Sequence, residues 1–159
     1  MTTAYLSLGS NLGDRTANLR QALEYLATAG GEVVRRSSIY ETEPQELREQ
    51  PWFLNQVVEI RTTLSPPELL ACIREIEREL GRQRAIAKGP RTIDIDILLY
   101  GDAIVDTPEL QIPHPRLAER RFVLQPLAEL APDLQHPKTS RTVSEMLATI
   151  EGQTVRRLG

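Results

Sequence analysis

The chain has 159 residues, of which 40% are apolar and 26% charged, a composition typical of one globular domain. Its formal net charge of −3 argues against bulk binding to nucleic acid or to an anionic membrane, and its single cysteine, Cys72, excludes an intrachain disulfide and a thiolate zinc cluster. The sequence has neither the pattern of a signal peptide nor an apolar run long enough to cross a membrane, so we expect one cytoplasmic domain over residues 1–159.

The first part of the chain predicts a strand, a helix and two more strands. The first strand pattern is short and partly β-branched or aromatic, and the third alternates between apolar and polar residues. The helix pattern begins after the predicted N-cap residue Asp14 and ends before Gly30. In chain order, the predicted elements are a strand over 3–8, a turn over 9–14, a helix to about residue 28, a strand over 32–42, a polar loop over 43–51 and a strand over 53–63.

The next helix has the clearest end signals in the chain. Ser65 is the predicted N-cap, Pro66 takes the first helical position, and Glu68 completes a capping box. An apolar stripe at helical spacing then runs until Gly81. The elements that follow are a basic loop over 82–91, a strand over 92–100, a hairpin-like stretch, a proline-rich loop around 113–115, short helices near 122–130 and 142–150, and a last strand near 153–158.

The order of these elements indicates the fold class. Strand, helix, strand, strand, helix, strand is the split βαβ arrangement of the ferredoxin-like α+β sandwich, a βαββαβ unit. In this arrangement the helices pack on one face of an antiparallel sheet. The short C-terminal helices are additions, and the second face of the sheet is available to them or to a functional site.

Two acidic residues interrupt the apolar strand predicted over residues 92–100. Because side chains alternate between the faces of a strand, Asp94 and Asp96 point to the same face, with Cβ atoms roughly 6.5–7 Å apart. Magnesium prefers carboxylate, water and phosphate oxygens. The alternative is two solvated acids on an exposed strand, but aspartate is depleted in strands and neighbouring like charges repel. The pattern therefore favours a magnesium site.

Positive charge flanks this strand on both sides in the sequence. Basic residues crowd the loop 82–91 directly before it, and Arg120 and Arg121 follow it. Arginine forms forked hydrogen bonds to phosphate oxygens, so the combination with the acid pair favours a polyphosphate site over a solvated charge run. His114 is held between two prolines, and its spacing alone fits a phosphate contact and a structural role equally well.

Several short segments extend this pattern over nearly the whole chain. They are GSNLG at 9–13, SIYET at 38–42, FLN at 53–55, GPRTIDIDILLY at 89–100, IPHPR at 112–116 and RRFVLQPL at 120–127. In this order they resemble the 6-hydroxymethyl-7,8-dihydropterin pyrophosphokinase family, and the run at 89–100 is the most specific of them. The resemblance implies the same ferredoxin-like fold.

The resemblance also implies a reaction and a set of roles. The pterin hydroxymethyl oxygen would attack the β-phosphorus of MgATP, AMP would leave, and the product would feed folate synthesis. Two Mg²⁺ ions would bind Asp94 and Asp96. Asp96 would also help to take the hydroxyl proton, and the other implied catalytic residues are Arg82, Arg84 and Arg91.

The substrate contacts follow from the same resemblance. ATP would be bound by Arg82, Arg84, Arg91, Ile97, His114 and Arg120. The pterin would lie between the rings of Phe53 and Phe122, with its polar edge read by Asn55 and by backbone near Thr42 and Pro44. We expect a monomer that binds neither nucleic acid nor membrane, with the loops 43–51 and 82–89 as lids over the site.

Two other functions are compatible with the fold. An RNA-recognition or similar ferredoxin-like binding module would carry aromatic residues on its central strands and a basic surface, whereas the fourth predicted strand here carries two aspartates. Another metal-dependent nucleotidyl or phosphoryl transferase would share the acid pair. Release of AMP, rather than ADP or pyrophosphate, separates the pyrophosphokinase from that third possibility.

Overall fold

A central antiparallel sheet organises the computed structural model, which describes residues 1–44, 49–81 and 92–158. Its strands are β1 (Thr2–Ser10), β2 (Glu32–Arg36), β3 (Tyr40–Thr42), β4 (Phe53–Thr62), β5 (Asp94–Tyr100) and β8 (Val155–Arg157), and β6 (Val105–Asp106) pairs with β7 (Gln111–Ile112) in a separate ribbon. The strand order is β5-β1-β4-β3-β8, and β2 also pairs with β4. Because β2 and β3 together take the place of one strand, this order confirms the predicted ferredoxin-like α+β sandwich.

The helices begin where the sequence predicts. They are α1 (Arg15–Tyr25), which continues into a π-helical turn over Leu26–Gly30, then α2 (Pro66–Leu80), α3 (Arg121–Leu130) and α4 (Val143–Ala148), with a 3-10 turn over Leu117–Glu119. The Asp14 carboxylate accepts a hydrogen bond from the Ala17 N–H, and Ser65 and Glu68 form the predicted capping box. None of the helices in the described ranges is long and apolar enough to cross a membrane.

The two faces of the sheet carry separate apolar cores. Helices α1 and α2 cover one face, where Leu6, Leu8 and Ile95 are buried. Helices α3 and α4 cover part of the other face, packing on Val57 and Leu98. Each fully buried aliphatic side chain of this kind contributes on the order of 2 kcal/mol. The second core reaches only the end of β5, so the beginning of that strand is left beside it for polar residues.

Three strands differ from the predicted ones. The predicted strand over 32–42 is broken into β2 and β3 because the Ser37 hydroxyl accepts the Val57 N–H, at 3.0 Å, in place of a regular backbone partner. Strand β1 continues through Gly9 and Ser10, which pair with β4 instead of starting a turn. Strand β5 begins at Asp94 and contains a bulge, since its register with β1 shifts and Leu98 becomes an extra residue.

Candidate active site

The register of the sheet aligns residues from four strands in one row, and three of the four are polar. Asp94 on β5 lies opposite Gly9 on β1, Gly9 lies opposite Asn55 on β4, and Asn55 lies opposite Tyr40 on β3. Directly paired residues share a face, so these residues lie on the face that also carries α3. One step along the same two strands, Asp96 lies opposite Ser7. The row therefore places the acid pair and Asn55 on neighbouring parts of one surface.

Gly9 makes this row possible because it has no side chain. A Cβ atom at position 9 would lie 2.7 Å from the Asn55 Oδ1 atom and 3.5 Å from the Phe53 ring. Both groups therefore occupy the space over β1 that a larger residue would take. The motif at residues 9–13, interpreted from sequence mainly as a turn, thus contributes its first glycine to the strand floor of the site.

The acid pair has the geometry that strand alternation predicts. Ile95 is buried on the α2 side, whereas Asp94 and Asp96 point to the other side and are half-exposed, with 39% of the Asp96 side chain accessible. Within the described residues, no three His, Cys, Asp or Glu side chains are grouped to hold a metal ion. A pair of carboxylates still fits Mg²⁺, because that ion usually takes one or two protein carboxylates and completes its shell with water and phosphate.

His114 lies at the edge of this acid pair. Its Nε2 atom is 3.9 Å from the Asp96 Oδ2 atom, and its backbone N–H donates to the Leu98 carbonyl at 3.0 Å. Burial, together with the positive charges of Arg120 and Arg116, lowers the pKa of His114 to about 4. The imidazole is therefore neutral near pH 7, and its contact with Asp96 is not an ion pair.

The tautomer of His114 follows from its second nitrogen. The Nδ1 atom accepts the backbone N–H of Arg116 at 3.1 Å, so it carries no proton. The proton of the neutral ring is then on Nε2, the nitrogen that faces Asp96. The Nε2–H group is therefore a neutral hydrogen-bond donor that lies beside the Asp96 carboxylate. Such a donor is suited to a phosphate oxygen.

The remaining predicted nucleotide contacts are divided between two regions. Ile97 is buried and, with Asp96 and His114, lines an open cleft of about 330 Å³. The Arg120 guanidinium lies over the Phe122 ring, 5.4 Å from its centroid, at the start of α3. The other predicted nucleotide contacts and catalytic residues, Arg82, Arg84 and Arg91, lie outside the described residues, as does the loop 82–89.

The predicted pterin contacts on β3 and β4 lie together. Asn55 Nδ2 donates to the Thr42 hydroxyl at 2.5 Å, and both side chains are buried. Phe53 pairs directly with Thr42 across the two strands, and Pro44 is buried two residues further along the chain. This hydrogen bond fixes the Asn55 amide, so its orientation does not have to be established when a ligand binds.

One residue that supports the site was not identified from the sequence. The Glu77 carboxylate on α2 accepts the backbone N–H of Ile95 at 2.9 Å. Ile95 lies between the two aspartates on β5, so Glu77 stabilises the backbone that carries them. Acidic residues are frequent on the exposed parts of this helix, and no spacing in the sequence distinguishes Glu77 from its neighbours.

Comparisons with known proteins show the family to which the chain is similar. Residues 5–132 match the model of the 7,8-dihydro-6-hydroxymethylpterin-pyrophosphokinase (HPPK) family. A 2-amino-4-hydroxy-6-hydroxymethyldihydropteridine pyrophosphokinase of Bacillus subtilis (strain 168) is 50% identical over 138 residues, which cover 86% of this chain and 83% of the relative. The protein of the same name from Methylorubrum extorquens is 48% identical over 159 residues, covering 99% of both chains.

Longer proteins contain a similar region. The folic acid synthesis protein fol1 of Schizosaccharomyces pombe is 47% identical over 154 residues, which cover 96% of this chain but only 21% of that protein. Among solved structures, an HPPK-DHPS of Plasmodium falciparum has a TM-score of 0.72 over 93% of this chain and 43% of its own, at 18% identity. At that identity the likeness establishes the fold alone. The chain thus spans about a fifth of the fungal relative, and 83% and 99% of the two bacterial ones.

Proposed function

The chain belongs to the 7,8-dihydro-6-hydroxymethylpterin-pyrophosphokinase family, and we propose on this basis that it transfers a pyrophosphoryl group from ATP to 6-hydroxymethyl-7,8-dihydropterin. The products are AMP and the pterin diphosphate used in folate biosynthesis. One observation carries the proposal most directly: the row Asp94, Gly9, Asn55 sets a carboxylate pair beside a buried amide on one sheet surface. The two substrates need these two neighbouring sites because the hydroxymethyl oxygen must reach the β-phosphorus.

The phosphate half of the site is built on β5 and the segment after β7. Asp94 and Asp96 would hold two Mg²⁺ ions, which neutralise charge on the triphosphate and orient it. The neutral His114 Nε2–H and the Arg120 guanidinium donate hydrogen bonds to phosphate oxygens. Asp96 would also help to take the proton of the pterin hydroxyl, the role that the family resemblance assigns to it.

The pterin half of the site is built on β3, β4 and α3. The Asn55 amide, oriented by Thr42, pairs with the polar edge of the pterin, and backbone groups near Thr42 and Pro44 complete the recognition. The rings of Phe53 and Phe122 stack on the two sides of the pterin. A flat heterocycle with a polar edge is suited to this combination of stacking and directed hydrogen bonds.

The basic loop supplies the remaining positive charge in this proposal. Arg82, Arg84 and Arg91 bind the ATP phosphates and stabilise the charge that develops on the departing AMP. The loops 43–51 and 82–89 close over the bound substrates and exclude water. The enzyme acts as a monomer in the cytoplasm, where ATP is available, and it needs no nucleic-acid or membrane partner.

The identity of the nucleotide product tests the proposal. The chain is incubated with Mg²⁺, ATP and the reduced hydroxymethylpterin, and products are separated by ion-exchange chromatography and identified by ³¹P NMR. We expect AMP and pterin diphosphate in equal amounts, and no AMP when the pterin is omitted. ADP with a pterin monophosphate would indicate a simple kinase, and pyrophosphate with an adenylated pterin would indicate a nucleotidyl transferase; either result would reject the proposal.

A further inference from the structure

We propose that Gln153 is a positioning residue that orients Arg120 toward the phosphate site, an inference that rests on the proposed function. Gln153 lies in the C-terminal segment, beyond the residues that match the family model. Its side-chain amide contacts the backbone on both sides of Arg120. It accepts the Arg121 N–H at 2.8 Å and donates to the Glu119 carbonyl at 2.8 Å. The two partners fix the orientation of the amide, since one is a donor and the other an acceptor.

Arg120 is the N-cap residue of α3, and its carbonyl accepts the Val123 and Leu124 N–H groups. It lies between the 3-10 turn that ends at Glu119 and the first residue of α3, in an extended conformation, and its own side chain does not cap the helix. The first N–H groups of a helix have no intrahelical partner. Gln153 therefore acts as a cap supplied from a distant part of the chain, and together with the helical hydrogen bonds of the Arg120 carbonyl it sets the backbone direction from which the Arg120 side chain projects.

The neighbouring arginine has a different role. One Arg121 guanidinium nitrogen donates to the Ile150 carbonyl and another contacts the Gln125 side chain, so Arg121 holds the C-terminal segment. Arg120 instead lies over Phe122 and close enough to His114 to lower the pKa of that histidine. The segment that contains Gln153 is thus held by Arg121, and in turn it holds the backbone of Arg120.

The same segment is also connected to the pterin half of the site. Two residues after Gln153, Val155 pairs with Thr42 on β3, and Thr42 is the residue that orients Asn55. Gln153 consequently links the backbone of Arg120 to the strand that carries the predicted pterin contacts. A change at Gln153 should alter the placement of Arg120 relative to that strand without removing any group that contacts a substrate.

Binding of a non-hydrolysable ATP analogue in the presence of Mg²⁺, measured by calorimetry, tests this role. We expect Gln153→Ala to weaken binding of the analogue by about 10-fold, because two hydrogen bonds that fix Arg120 are lost. Gln153→Glu keeps the acceptor for the Arg121 N–H but loses the donor, and should fall between wild type and Gln153→Ala. The matched control is Gln125→Ala, which removes another glutamine near Arg121 and should change analogue binding less than about 2-fold.

A double-mutant cycle with Arg120→Ala distinguishes positioning from a general structural effect. If Gln153 acts through Arg120, Gln153→Ala should change analogue binding by less than about 2-fold in the Arg120→Ala background. An equal loss in both backgrounds, or no loss in either, would overturn the inference. Should Gln153→Ala fail to fold by circular dichroism, Gln153→Glu takes its place in the cycle. Because the cycle measures binding, absence of AMP formation by the wild type would reject the proposed function and leave this test readable.

Discussion

At the scale of single residues, the protonation of His114 determines what the phosphate region of the site offers to a ligand. An imidazolium beside Asp96 would form an ion pair and compete with a cation for that carboxylate. Burial and two nearby arginines prevent this by keeping the ring neutral, and the Arg116 N–H assigns the proton to Nε2. His114 therefore does not compete with a cation for Asp96 by forming an ion pair, and it remains a hydrogen-bond donor.

The titration of His114 can be measured directly. In the protein without metal or nucleotide, we expect ¹⁵N NMR to report a neutral ring protonated on Nε2 at pH 7, which gains its second proton only near pH 4. Since this value lies below the ordinary 6.5 of the unfolded chain, the stability contributed by His114 is present above pH 6.5 and is lost as the pH falls toward 4. In His114→Gln this part of the pH dependence of unfolding should be absent. A midpoint at or above 6.5 would contradict the assignment.

The absence of a side chain at Gly9 is a second requirement at this scale. Gly9→Ala places a methyl group against the Asn55 Oδ1 atom, so we expect pterin binding to weaken by at least about 10-fold while ATP-analogue binding changes little. Fluorescence titration with each ligand measures the two affinities. In the Asn55→Ala background, where the obstructed group is gone, Gly9→Ala should have a much smaller effect. Equal losses for both ligands would contradict a local steric cause.

At the scale of elements, local chemistry predicts the helices better than the strands. Helix α2 begins at the predicted capping box because Ser65 and Glu68 satisfy each other's backbone groups within a few residues. Strand boundaries depend instead on partners far away in sequence. The Ser37 hydroxyl that divides β2 from β3 and the bulge at Leu98 exist only once β4 and β1 are in place. No pattern within either segment could have indicated them.

Support of β5 by α2 leads to a prediction at this scale. The outer edge of β5 is covered partly by Glu77, which accepts the Ile95 N–H, and by the His114 N–H, which donates to Leu98. Glu77→Ala leaves the buried N–H without this partner and should lower the free energy of unfolding by about 1–3 kcal/mol. It should also lower turnover, because Asp94 and Asp96 flank Ile95.

A matched control is available on the same helix. Glu75 lies two residues earlier, its side chain is 60% exposed, and it forms an ion pair with Arg78 on the helix surface. Glu75→Ala should change stability by less than about 1 kcal/mol, because exposed ion pairs contribute little. Urea denaturation and steady-state rates of both variants provide the comparison. Similar effects of the two substitutions would show that the contact with Ile95 has no special role.

At the scale of the whole molecule, the sheet brings together the two halves of the site from distant parts of the chain. The fold class and the shared face of Asp94 and Asp96 could be predicted, because element order and strand alternation are properties of the sequence. The alignment of Gly9 between Asp94 and Asn55 could not be predicted from the sequence, because it depends on the register of three strands. The two hydrogen bonds of the Gln153 side chain could not be predicted either. They join Gln153 to Arg121 and Glu119, which lie 32 and 34 positions earlier in the chain, and no periodic spacing in the sequence indicates them.

The proposed pyrophosphoryl transfer requires Asp94 and Asp96 to act together, and matched substitutions of the two residues test this requirement most directly. AMP formation from ATP and the reduced hydroxymethylpterin is measured at saturating Mg²⁺ for wild type, Asp94→Asn, Asp96→Asn and Asp102→Asn, an exposed aspartate in the turn after β5. Either of the first two substitutions should lower the rate at least about 100-fold with the fold intact, since charge neutralisation in the transition state is lost. Asp102→Asn should stay within about 2-fold of wild type. Near-wild-type rates for Asp94→Asn and Asp96→Asn would contradict the account.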